Sequence, residues 1–138
     1  MLKLDNEGGC MVPATVYLVE DDDAVRASLS ALLQLADIEV TEFASGSAFV
    51  GSLAGLAPGC VVLDMRMPGM DGIAVLQHMA DQSIDWPVLV MTGHPDPGIA
   101  AAVLKRGAIE FLEKPCREEE LFAALARGFE ILGQGSAA

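Results

Sequence analysis

Five times along the chain a short run of β-branched and apolar residues gives way to a stretch whose apolar residues return at helical spacing. Strands separated by helices cannot pair as tight hairpins, so this alternation demands parallel strands joined by crossover helices. The third run is the most restrictive: Cys60-Val61-Val62-Leu63 has no charged member, as a strand covered by helices on both faces requires. The expected fold class is α/β, a (βα)5 doubly wound five-stranded parallel sheet.

The first strand is expected over Thr15–Val19. Val25, Leu29, Leu32, Leu33 and Ala36 then mark one face of a helix, capped by Asp22 or Asp23. Glu39–Phe43 reads as a strand, and Ser45 as the cap of a glycine-interrupted helix through Phe49 and Leu53. The third strand, Cys60–Leu63, ends at Asp64, and the loop Arg66-Met67-Pro68-Gly69-Met70 follows it. A helix bearing Ile73, Val75, Leu76 and Met79 leads to a strand over Val88–Met91. Asp96-Pro97 opens the next helix as cap and first-turn proline. Ile109–Leu112 reads as the last strand, and Leu121, Leu125, Phe129 and Leu132 share one face of a helix starting near Arg117. Residues 1–13 read as a flexible lead-in, 14–132 as one domain, and 133–138 as a tail or linker stump.

With 138 residues, 52% of them hydrophobic, the chain has enough apolar surface for one continuous core. Its 20 acids against 8 bases give a net charge of -12, which repels phosphate backbones, so no direct nucleic-acid binding by this domain is expected. No run reaches the roughly 18 apolar residues of a membrane span, and residues 1–13 lack the blocks of a secretory signal. No membrane association and a cytoplasmic location are therefore expected. Cys10, Cys60 and Cys116 have no paired spacing, which argues against a disulfide framework or zinc site. His78 and His94 have no companion at metal-ligand spacing.

In a doubly wound sheet, function gathers beyond the carboxyl ends of the strands. There the chain places Glu20 and Asp21 after the first strand, Asp64 after the third, Thr92 after the fourth and Lys114-Pro115 after the fifth. Alone, Glu20-Asp21-Asp22-Asp23 is more often a helix cap with dipole-favoured acids, Asp64 a strand-end carboxylate and Lys114 a solvated lysine. Together they form a cluster of carboxylates that repel one another unless a cation joins them. Hard oxygen ligands suit Mg2+, or Mn2+, and a site of this kind suits phosphoryl transfer.

The strings VEDDDAVR, VLDMRMPGMDG, VMTGH and FLEKP, in this order, resemble the receiver domains of two-component response regulators. The short TGH string is similar to the subgroup that includes nitrogen-fixation transcriptional activators. The resemblance implies a flavodoxin-like strand order 2-1-3-4-5 and phosphorylation of Asp64 by a sensor histidine kinase or phosphotransfer protein. It implies metal binding by Asp21, Asp64 and the backbone carbonyl of Arg66, with Glu20 acting through a metal-bound water. Thr92 and Lys114 are implied as phosphoryl partners, Thr92 and Phe111 as switch residues, and Pro115 as following a cis peptide. It also implies a phosphoacceptor signalling domain rather than an enzyme, one that assists its own phosphotransfer and dephosphorylation. A homodimer through the face of helix 4, strand 5 and helix 5, and a role in transcription regulation, are compatible with it.

Two alternatives remain at this stage. An aspartyl-phosphate phosphatase would place its nucleophile after the first strand with a second acid two residues on, and substrate turnover would mark it. A flavin- or nucleotide-binding module would need a phosphate-cradling loop in the same place, where this chain has Glu20-Asp21-Asp22-Asp23.

Overall fold

The computed structural model of the protein describes residues 15–137; the lead-in 1–13, with Cys10, lies outside the described residues. Strands β1 (Thr15–Val19), β2 (Glu39–Phe43), β3 (Cys60–Asp64), β4 (Val88–Thr92) and β5 (Glu110–Glu113) alternate with helices. These are α1 (Asp23–Leu35), α2 (Gly46–Ser52), α3 (Gly72–Asp81), α4 (Pro97–Lys105) and α5 (Glu118–Ala137). All four strand pairings are parallel, in the order β2-β1-β3-β4-β5. The expected fold class and strand order are those observed.

Residues alternate between two cores along each strand, as a period of two requires. Tyr17, Val19, Val61, Leu63, Val88 and Val90 join Phe49 of α2, Val75 and Met79 of α3 and Val103 of α4. Val16, Leu18, Val62, Leu89 and Met91 meet Leu33 of α1 and Leu121, Leu125 and Phe129 of α5 on the other face. Every residue of β3 and β4 is buried. At about 1.5–3 kcal/mol for each fully buried large aliphatic side chain, the strands carrying Asp64 and Thr92 are firmly anchored stems. The edge strand β2 is mostly exposed, and its outward residues include Glu39 and Glu42.

Side chains cap four helix starts: Asp22 accepts from the Ala24 and Val25 amides, Ser45 from Ala48, Asp71 from Ala74 and Asp96 from Gly98. Helices α1, α3 and α4 share a stop. Asp37, Ser83 and Gly107 take positive φ, and the next amide, of Ile38, Ile84 or Ala108, returns to the carbonyl of Leu33, Met79 or Val103.

Strands β3 and β4 each run one residue past expectation, to Asp64 and Thr92, and larger differences fall at α2, β5 and α5. The α2 segment tightens into a 3-10 turn over Leu53–Gly55 after Ser52. Strand β5 spans Glu110–Glu113 because pairing with Leu89–Thr92, not apolarity, sets its register. Helix α5, expected to end near Leu132, runs to Ala137: residues 133–137 contain no proline, and extending an existing helix is far easier than starting one.

Candidate functional site

The carboxyl ends of β1, β3, β4 and β5 meet at one rim. At the end of β1, the Glu20 amide donates to the Phe43 carbonyl of β2 at 3.1 Å, and this turns the following residues over the rim. Glu20, Asp21 and Asp64 converge there, with one oxygen of each within 4.8 Å of the others. Glu20 is 2% exposed and Asp64 5%, whereas Asp21 is the most open of the three.

Lys114, just past β5, provides the countercharge. Its Nζ lies 2.8 Å from Glu20 Oε1 and 3.0 Å from Asp64 Oδ1. The other Glu20 oxygen, Oε2, accepts the Asp22 amide at 3.1 Å, so protein donors occupy both oxygens of this buried carboxylate. Burial pushes the Asp64 carboxyl up to about 6; the Lys114 hydrogen bond opposes the rise and the Glu20 charge adds to it. Burial also works against the charge on Lys114, but its bonds to Glu20 and Asp64 outweigh that and hold its pKa above the ordinary value. The Lys114–Pro115 peptide is cis.

Thr92 closes β4 and is 1% exposed. Its Oγ1 accepts the His94 amide at 3.1 Å, which leaves the hydroxyl proton free to donate elsewhere. Phe111 on β5 pairs in register with Val90 and rests half-buried against the α2–α3–α4 core. Arg66 is exposed in the β3–α3 loop, so only its backbone is held close to the end of β3. The site residues read from sequence therefore lie on the same rim or immediately behind it. His78 and His94 are exposed, and neither joins the carboxylate cluster.

Sequence reasoning passed over Arg26. Its guanidinium donates to the Glu20 carbonyl oxygen at 2.8 Å and to Asp23 Oδ1 at 2.6 Å, and its Nε stands 3.4 Å from Glu42 Oε1. The signal that could have found it is a lone basic residue one helical turn after an acidic run, in VEDDDAVR.

With this geometry established, comparison with known proteins is specific. A family model described as the response regulator receiver domain matches residues 16–126. The chain is similar to the transcriptional regulatory protein FixJ of Bradyrhizobium diazoefficiens, 46% identical over 110 residues, which cover 80% of this chain and 54% of that protein. It is similar to the response regulator protein TmoT of Ectopseudomonas mendocina, 37% identical over 121 residues, covering 88% and 55% of the two chains. The crystal structure of FixJ-N matches with a TM-score of 0.82 at 35% identity, covering 87% of this chain and 96% of that one. Full-length FixJ from B. japonicum matches at 0.83 and 41%, covering 90% and 61%. The chain spans about half the length of the curated relatives it matches.

Proposed function

Because the chain belongs to the response regulator receiver domain family, we propose that Asp64 accepts a phosphoryl group from a sensor histidine kinase or phosphotransfer protein, with a divalent cation held beside it. The observation that carries this reading is the convergence of Glu20, Asp21 and Asp64 from two strand ends, bridged by Lys114 from a third.

The residues fit Mg2+ or Mn2+. Three carboxylates against one ammonium leave excess negative charge among hard oxygen donors. Asp21, Asp64 and the backbone carbonyl of Arg66 would hold the ion directly. Glu20, with both oxygens already engaged by protein donors, would act through a bound water. When bound, the ion supplies Lewis acidity that offsets charge on the transferring phosphoryl group.

The chain's own residues do the rest. Without the ion Asp64 is ionised above pH about 6, a cation beside it favours that form further, and the carboxylate presents an oxygen as nucleophile. Lys114, held charged by its neighbours, pairs with a phosphoryl oxygen as the modified Asp64 grows outward. Thr92 donates its free hydroxyl proton to another, and Phe111 turns inward into the space behind it. Phosphate then biases two pre-existing arrangements of the face made by α4, β5 and α5, through its differential contacts with each. A bias of about 2–3 kcal/mol is enough to change their populations substantially.

The protein acts in this reading as a cytoplasmic phosphoacceptor that assists its own phosphotransfer and dephosphorylation, not as an enzyme turning over a separate substrate. The switched face mediates homodimerisation, and the output is transcription regulation, as the names of the FixJ relatives suggest. DNA contact falls to a part other than this acidic domain.

The test is the intact mass of wild type and Asp64→Asn after incubation with acetyl phosphate and Mg2+. One phosphoryl group added to wild type, dependent on metal and missing from the variant, is the expected result. Absence of any metal-dependent adduct on folded wild type would overturn the role of Asp64.

A further inference from the structure

We infer that Arg26 is a positioning residue for the metal site: its guanidinium, anchored on the first turn of α1 and on β2, fixes the peptide that presents Asp21. The inference rests on the metal-binding reading of Glu20, Asp21 and Asp64.

The Glu20 carbonyl and the Asp21 amide belong to one planar peptide unit, so holding the oxygen fixes the orientation of the plane from which Asp21 departs. Arg26 Nη1 holds that oxygen at 2.8 Å. At the other end of Glu20, its amide is bonded to Phe43 of β2. Both main-chain polar groups of Glu20 are therefore tied. Asp21 itself is the least buried acid of the cluster, so it relies more on its backbone for placement than Glu20 or Asp64 does.

Arg26 is suited to the task because a rigid fork can serve several acceptors at once. Nη2 donates to Asp23 at 2.6 Å, and Nε faces Glu42 on β2 at 3.4 Å. The side chain is only 16% exposed, so the guanidinium is confined by the loop, the helix and the strand together. Lys114 lies across the cluster on Glu20 and Asp64 and leaves the Glu20 carbonyl to Arg26.

Charge and geometry predict opposite results when Arg26 is removed. A lost positive charge near a cation site raises cation affinity, whereas a lost positioning contact lowers it, typically by about 10-fold or more for groups that orient metal ligands. The experiment is Mn2+ binding, followed by the electron paramagnetic resonance of free Mn2+, on wild type, Arg26→Met and Arg26→Lys. Circular dichroism melts in EDTA confirm that each is folded.

The expected outcome is an approximately 10-fold weaker Mn2+ affinity in Arg26→Met. Arg26→Lys, which still donates to the Glu20 carbonyl but cannot span all three acceptors, recovers part of the loss. Unchanged or tighter Mn2+ binding by folded Arg26→Met would overturn the inference while leaving the metal site intact. No binding by wild type would overturn the metal reading and the inference with it. Should Arg26→Met fail to fold, Arg26→Lys decides alone: weaker Mn2+ binding than wild type supports positioning, and equal binding refutes it.

Discussion

Replacing Asp64 by Asn should stabilise the metal-free protein near neutral pH. Asn keeps the shape of Asp and an oxygen acceptor for Lys114, but removes a charge that the folded state disfavours. In the fold the Asp64 carboxyl ionises near 6 instead of the ordinary 3.8. Taken in full, that difference corresponds to about 3 kcal/mol of folded-state destabilisation once the group is ionised. Water reaches this rim through Lys114, whose side chain is 22% exposed. Screening there brings the expected gain down to about 1–2 kcal/mol.

For a domain of this size such a gain raises Tm by about 4–10 °C. The sign follows from linkage: a carboxyl with a raised folded-state pKa favours folding below 3.8, and that contribution is lost as pH rises through about 6. Melts followed by circular dichroism in EDTA should show the variant ahead at pH 7.5, with the gap narrowing as pH falls from 6 toward 3.8. Mg2+ should then raise the Tm of wild type more than that of the variant. Equal Tm values in EDTA at pH 7.5, or an advantage as large at pH 4 as at pH 7.5, would refute the reasoning.

Lys114→Met leaves the buried Glu20 and Asp64 carboxylates without their ammonium, and should lower stability in EDTA by about 1–3 kcal/mol, with Mg2+ recovering much of it, as paired melts would register. Thr92→Val strands the His94 amide at a cost of about 1 kcal/mol in urea unfolding. It should also leave Asp64 phosphorylation by acetyl phosphate in place while abolishing phosphate-dependent amide shifts around Phe111 in NMR. Gly128→Ala on α5 would bring a methyl carbon to 2.7 Å from Cys60 Sγ on β3, costing about 1–3 kcal/mol, and adding Cys60→Ala should recover most of that loss.

What could be read from the residues follows their physics. Asp64 was legible because an unbroken apolar strand ended in a carboxylate, and burial on both faces leaves such a strand one assignment. The cap at Ser45 and the cap and proline at Asp96-Pro97 were legible because each rests on one side-chain oxygen or one fixed φ. Helix stops were not. Only Gly107 advertises a left-handed residue; Asp37 and Ser83 accept that conformation because the apolar residue after each, buried Ile38 and half-buried Ile84, draws the chain back toward the core. Arg26 was missed because its decisive partner is a backbone carbonyl, and main-chain acceptors leave no trace in a residue pattern.

The two outer strands of the sheet each carry a pair of glutamates, Glu39 and Glu42 on β2, Glu110 and Glu113 on β5. An exposed strand edge is a ready template for another chain, and charges along it discourage that pairing. Glu42 is met by Arg26 and Glu110 by Arg127, but among the described residues Glu39 and Glu113 have no such cation, so one uncompensated negative charge stands on each edge and a second copy approaching edge to edge meets repulsion whichever strand it offers. Growth of the sheet into a ribbon of copies is thereby opposed, and association of these domains is steered toward their helical faces.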